Sequence, residues 1–363
     1  MQNSDLVADS HHETVRGSDR FLCRGKLGEG AFGDVRLGTD LITGKNVAMK
    51  YIRILSKDGG LPRAVFREVE ALKQLRGAKH IVELLDAFPD ETNMCLVLEY
   101  HPSDLAEVIA QAKDSLPIDH IKAYSQMLLG ALSFLHERHI VHRDVKPSNV
   151  LLSSTGSVKL ADFGLARVIP LAPSNGEARA HPAQQDLSHQ VATRWYRPPE
   201  LLFASRSYSF SADVWSAGAV VAELFALKPL FPGNNDIDQM FRVFQIMGSP
   251  TVDRWPGVDL LPDYSKVSFP DLVPVDFCTL LPSCRPPDVQ FLRSMLVLDP
   301  ARRHSAASIV ASDYFLEHPR PVQQAFVYCP PRRTHKQAAK FVAVGDEEER
   351  VQQMLEQLLL QQP

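Results

Sequence analysis

Cysteine is scarce: five residues in 363, at positions 23, 95, 278, 284 and 329, with no CxxC pair and no neighbouring histidines at metal-ligand spacing. That scatter argues against a zinc ribbon or a disulfide framework and reads as reduced thiols in a cytosolic or nuclear protein. Neither sign of charge dominates. A formal net charge of -4 and a pI near 6.4 leave no basic field to attract nucleic acid or an anionic membrane, so neither is expected as a partner. Long apolar runs are missing as well. The most apolar segment, Val214 to Leu227, carries Glu223 and is short for a bilayer, so it reads as a helix buried in a core. The first twenty residues are polar and lack the apolar stretch of a secretory signal, and His11-His12 has no third ligand nearby.

What is present is ordinary globular material, 45% hydrophobic and 23% charged, in a chain long enough for two or three compact units. Residues 20 to about 100 alternate apolar runs with turn signals, as a small sheet does; FLCRGKLGEGAFGDVRLGTD and NVAMKYIRIL bracket a turn at Thr43-Gly44-Lys45. One helix interrupts them, with Val65, Val69, Leu72 and Leu75 at helical spacing and Pro62 suited to its first turn. From Asp104 the period turns helical. The expected fold class is α+β: tail 1–19, a β-rich part 20–100, a mostly α part 101–316, and a tail 317–363. Leu171 to Leu187 reads as a loop. An amphipathic stretch at 347–361 puts Val351, Met354, Leu355, Leu358 and Leu359 on one face, either a partner-binding or self-docking helix or a tail end with no such role.

Four motifs carry the chemistry. Gly28-Glu29-Gly30-Ala31-Phe32-Gly33-Asp34-Val35 lies between two strand-like runs, whereas a dinucleotide-binding fold needs strand, glycines, then helix. Val47-Ala48-Met49-Lys50 ends in a lysine whose counter-ion could be Glu68 on the following helix. His142-Arg143-Asp144-Val145-Lys146-Pro147-Ser148-Asn149 supplies a carboxylate, an ammonium and an amide within a few residues. Asp162-Phe163-Gly164 follows the strand-like VKLA. Each string alone has a bland reading as a turn or solvated loop. The full set in this order and spacing is the protein-kinase signature.

On these residues the chain resembles eukaryotic protein kinases over roughly 20 to 316, which implies a bilobal fold, ATP and Mg2+. The resemblance implies Asp144 as catalytic base, with Lys146 beside the transferring phosphoryl group and Lys50 paired to Glu68 on the α- and β-phosphates. Asn149 and Asp162 would hold magnesium. Leu27, Gly28, Gly30 and Gly33 would cover the nucleotide, Val35, Ala48 and Leu151 sandwich adenine, Leu98 acts as gatekeeper, and Glu99 to His101 form the hinge. Glu200 matches a structural partner of Arg303, although Pro198 replaces the usual alanine of APE, and Asp213 matches the aspartate that secures the catalytic loop. A kinase fold used as a catalytically weak scaffold is the alternative of a different class. Lys50, Asp144 and Asp162 are all present, which disfavours it.

Within that family, LPRAVFRE resembles the PSTAIRE helix of cyclin-dependent kinases, while Arg197 and LFPGNNDIDQM mark the wider group that includes mitogen-activated kinases. SHQVATRWYR, SDLAEVI and FPGNNDIDQ are most similar to the cell-cycle-related kinase branch, whose members serve in cell-cycle and cilium or flagellum control. Mitogen-activated kinases carry a tyrosine where this chain has Gln190. The resemblance further implies Ser/Thr-Pro protein substrates selected by Val191, Ala192 and Arg197, and a cyclin or cyclin-like activator. Ser188 would be the activating phosphosite, its phosphate gathered by Arg67, Arg143 and Arg167. Ala31 and Phe32 replace the inhibitory Thr-Tyr pair.

Overall fold

The computed structural model describes residues 17–30, 33–53, 63–90, 93–169, 194–205 and 209–325. Ala31, Phe32, Ser188, Val191, Ala192, the 171–187 segment and the 347–361 stretch lie outside the described residues. The described chain falls into two compact units, one reaching Arg53 and including Leu85–Tyr100, the other formed by Arg63–Leu84 and the residues from His101 onward.

The first unit is an antiparallel sheet in the order β1-β2-β3-β5-β4, built from β1 (Phe21–Gly30), β2 (Gly33–Asp40), β3 (Asn46–Arg53), β4 (Leu84–Asp90) and β5 (Asn93–Glu99). Strand alternation divides its residues cleanly. Val47, Met49 and Tyr51 of β3 join Cys95 and Val97 of β5, with Phe21 and Phe88, in one buried cluster. Asp40 fixes the β2–β3 turn. Its carboxylate accepts from Arg20 Nε at 3.0 Å and Nη2 at 2.8 Å, and from the Thr43 hydroxyl at 2.8 Å. The hydrogen bond from Arg20 holds this carboxyl well below the usual range, against the opposing effect of burial. Gly44 completes the turn at φ +70°, which a residue with a Cβ adopts poorly.

The second unit opens with α1 (Arg63–Gln74), whose Val65, Val69 and Leu72 are buried and which packs on the 3-10 turn Phe163–Leu165. Three strands, β6 (Ser103–Asp104), β8 (Val150–Leu152) and β9 (Val158–Leu160), form a small sheet, while β7 (Ile140–Val141) pairs with β10 (Arg167–Val168). Around them run α2 (Leu105–Gln111), α3 (Ile118–Glu137), α4 (Pro199–Leu202), α5 (Phe210–Ala226), α6 (Asp236–Met247), α7 (Phe277–Leu280), α8 (Pro286–Met295) and α9 (Ala306–Val310). Helix α5 is buried all round from Ala212 to Phe225, as its mostly apolar sequence suits, with Asp213, Ser216 and Glu223 as buried polar exceptions, and packs on α3 and α8. No helix among the described residues is long and apolar enough to cross a membrane.

Lysine 122 of α3 is fully buried. Its ammonium donates to the carbonyls of Tyr314 at 2.6 Å and Glu317 at 2.9 Å and lies 4.3 Å from the Tyr314 ring centroid. Residues 317–325 stay against this unit. Val322 N–H donates to Asp119 O at 3.3 Å, and the backbone of Ala325 lies where a Cβ on Gly156 would clash.

Candidate active site

In the first unit the sheet register aligns the expected nucleotide residues. Val35 lies opposite Lys50, and Ala48 lies opposite Leu98. Directly opposed residues of an antiparallel pair share a face, so Val35, Ala48, Lys50 and Leu98 stand together on the side away from the Met49–Tyr51 cluster. Lys50 and Leu98 are buried and Leu27 of β1 is exposed. Glu99 ends β5 opposite Val47.

The motif glycines are not equivalent. Gly33, at φ +151°, would place a Cβ 1.7 Å from the Tyr51 carbonyl oxygen, so glycine is required there by the sheet itself. Gly28 sits opposite Val35 with nothing within 4 Å of an added Cβ. Internal packing does not explain it. Gly30 closes β1 opposite Gly33.

In the second unit the catalytic-loop residues converge. Asp144 Oδ2 accepts from Lys146 Nζ at 2.8 Å and from Asn149 Nδ2 at 2.9 Å, and the same amide nitrogen donates to Asp144 O at 2.8 Å. With its NH2 group committed to Asp144, the Asn149 Oδ1 is turned away from it. Asp162 adopts φ +66° and Arg143 φ +73°, left-handed values that a non-glycine residue keeps only where its surroundings impose them.

Two links impose them. Asp213, 1% exposed on α5, accepts the His142 amide at 2.8 Å through Oδ2 and the Arg143 amide at 2.8 Å through Oδ1. His136 Nε2 lies 3.0 Å from the same Oδ2. Burial pushes the Asp213 carboxyl up, but the hydrogen bond and charge of His136, with the hydrogen bond from the Arg143 amide, hold it below its ordinary value. The His142 ring then bridges forward. The Asp144 amide donates to Nδ1 at 3.3 Å, so Nε2 carries the hydrogen shared with Ala161 O at 3.0 Å, next to Asp162.

Beyond the loop, Arg303 meets Glu200 through two bonds of 2.7 Å, both groups buried. Tyr196 OH donates to Glu223 Oε2 at 2.7 Å, and Ser216 Oγ donates to Tyr196 O at 2.8 Å. Arg197 Nη1 stands 3.6 Å from Asp236 Oδ1. Leu151 of β8 pairs with Lys159 and Asp104, and Arg167 pairs with Val141 just before the catalytic loop. Glu68 is buried on α1 and Arg67 half-buried beside it, while His101 follows Tyr100 into the second unit.

The sequence motifs gave no role to His136 or Asp236. Asp236 lies inside LFPGNNDIDQM, but the residues that His136 and Asp236 meet are 77 and 42 positions away, and no local pattern names such partners.

The protein kinase domain family matches residues 21–315 of this chain. Cyclin-dependent kinase 20 of Danio rerio is 40% identical over 314 residues, covering 86% of this chain and 88% of that protein. Cyclin-dependent kinase 20 of Homo sapiens is 39% identical over the same shares. Cyclin-dependent kinase D-1 of Arabidopsis thaliana is 38% identical over 324 residues, 89% of this chain and 77% of that one.

Proposed function

The chain belongs to the protein kinase family, in its cyclin-dependent group, and from that premise we propose that it transfers the γ-phosphoryl group of Mg2+-bound ATP to serine and threonine hydroxyls followed by proline. The observation that carries this reading is the double hydrogen bond on Asp144 Oδ2 from Lys146 and Asn149. It orients the carboxylate so that its other oxygen is presented to an incoming hydroxyl, whose proton Asp144 accepts. Lys146, held 2.8 Å from Asp144, places a cation where charge develops on the transferred group.

Magnesium, when bound, neutralises phosphate oxygens, and the donor set suits it. Asn149 Oδ1 and the Asp162 carboxylate are hard oxygen ligands, and Mg2+ takes one or two such protein ligands beside water and phosphate. The nucleotide would be held by Leu27, Gly28, Gly30 and Gly33 over the phosphates and by Lys50, for which the resemblance proposes Glu68 as counter-ion. Val35, Ala48, Leu98 and Leu151 would flank adenine, with the Glu99–His101 backbone at its edge. Gly28 supports this, since a side chain there would occupy space that the sheet leaves open.

Proline selection follows from donor chemistry. The guanidinium of Arg197 has donors and no acceptor, so a substrate amide N–H facing it goes unpaired, and proline has none. The resemblance assigns Val191 and Ala192 to the same pocket. A cyclin or cyclin-like protein on α1 is the proposed activator, as the relatives' names say of them, in a cytoplasmic or nuclear protein of the cell-cycle or ciliary type. The four cysteines among the described residues are free thiols, consistent with that location. The test supplies ATP with labelled γ-phosphate to a Ser/Thr peptide library. Transfer that survives Asp144→Asn, or that ignores replacement of the following proline, overturns the reading.

A further inference from the structure

We infer that Asp236 is a positioning residue that sets selectivity for the residue after the phosphoacceptor, by fixing the guanidinium of Arg197. This rests on the proline-directed reading of Arg197 given above. Two arginines converge on one atom of this carboxylate. Arg194 Nε donates to Asp236 Oδ1 at 2.8 Å, and Arg197 Nη1 lies 3.6 Å from the same oxygen. Arg194 also donates through Nη1 to Asn234 O at 3.0 Å, so it pins the loop that carries Asp236. Without the carboxylate, two cations three residues apart would repel, and the long Arg197 side chain would have rotamers to explore.

The backbone beneath is held by other groups. Trp195 Nε1 donates to Gly233 O at 3.0 Å, Tyr196 OH to Glu223, and Ser216 Oγ to Tyr196 O. The loop is closed by Gln239, fully buried, whose Oε1 accepts from Gly233 N–H at 3.0 Å. Asp236 itself has a half-exposed side chain in the first turn of α6, where Asn235 caps the helix through Asp238 N–H at 2.9 Å. Removing its charge therefore leaves the 195–197 backbone in place and releases the Arg197 head group. A donor-only wall beside the substrate then becomes a mobile one, and an amide N–H at that position is no longer penalised.

The experiment measures kcat and KM of the purified full chain on two peptides that differ only in Pro or Ala after the serine. Wild type comes first: equal kcat/KM on both removes the proline-directed reading, and this inference with it. Where wild type prefers proline, Asp236→Asn is expected to reduce the Pro/Ala ratio by about tenfold, with an unchanged melting temperature. Asp236→Glu keeps the charge and is expected to keep the preference. An unchanged ratio in Asp236→Asn, an equal loss on both peptides, or a glutamate variant as unselective as the asparagine one overturns the role of Asp236 while leaving the reading of Arg197 intact.

Discussion

His136 Nε2 lies 3.0 Å from Asp213 Oδ2, the oxygen that also accepts the amide of His142. One buried carboxylate thus ties the end of α3 to the start of the catalytic loop. Replacing His136 by leucine removes a bond to a charged, buried group, worth about 2 kcal/mol. We expect a lower melting temperature and a fall in kcat larger than the rise in KM, because the amides of His142 and Arg143 lose a fixed acceptor. Thermal melting and steady-state kinetics check it, and a variant unchanged in both speaks against this link.

Asp162→Asn separates charge from backbone strain. Asparagine tolerates the left-handed φ of +66° at this position better than most residues, so the fold is expected to persist. Phosphoryl transfer should nearly vanish, because the proposed magnesium ligand would lose its charge. Residual activity within about tenfold of wild type, ~1.4 kcal/mol of barrier, contradicts the assignment. Lys50→Met should behave alike.

The two glycines should part company. Gly33→Ala drives a Cβ into the Tyr51 carbonyl and is expected to destabilise the first unit. Gly28→Ala meets no described atom within 4 Å, so its melting temperature should stay near wild type while the KM for ATP rises. Calorimetry beside an ATP titration decides the matter. Equal melting losses in the two variants defeat the distinction.

Asp104 caps α2, accepting from Glu107 N–H at 2.9 Å. Burial raises its carboxyl to about 6, against an ordinary value of 3.8. The folded state therefore binds the proton more tightly than the unfolded one. A stability penalty grows as pH rises from about 4 to about 6 and is complete above that. Asp104→Asn keeps a capping side chain and cannot titrate. Its stability relative to wild type should rise across that window, by about 1–2 kcal/mol. Denaturant melts at pH 4, 5 and 7 test it, and a constant difference between the two proteins refutes it.

Phosphorylation of Ser188 is expected to activate the enzyme. A phosphoserine adds about −1.5 to −2 charge, which Arg67 on α1, Arg143 in the catalytic loop and Arg167 on β10 can share. Ser188→Ala, or phosphatase treatment of protein isolated from cells, should lower kcat. Full activity in the alanine variant, with no phosphate on Ser188 of the intact wild type, locates the switch elsewhere.

The amino-acid sequence by itself determined the alternation that puts Val47, Met49 and Tyr51 in one core and Ala48 and Lys50 on the other face. It also determined the buried character of α5 and the grouping of Asp144, Lys146 and Asn149, because periodicity and close spacing are properties of neighbours along the chain. Only the tertiary structure decided which distant groups meet. It gave Asp213, which the resemblance had already assigned to the catalytic loop, its acceptor contacts with the amides of His142 and Arg143, put His136 beside Asp213, and placed Asp236 between Arg194 and Arg197. It also told Gly33, forced by a neighbouring carbonyl, from Gly28, which no side chain crowds. Such pairings depend on how helices and strands stack once their apolar faces are buried, and hydrogen-bond and charge partners are then whichever polar groups that stacking leaves within reach.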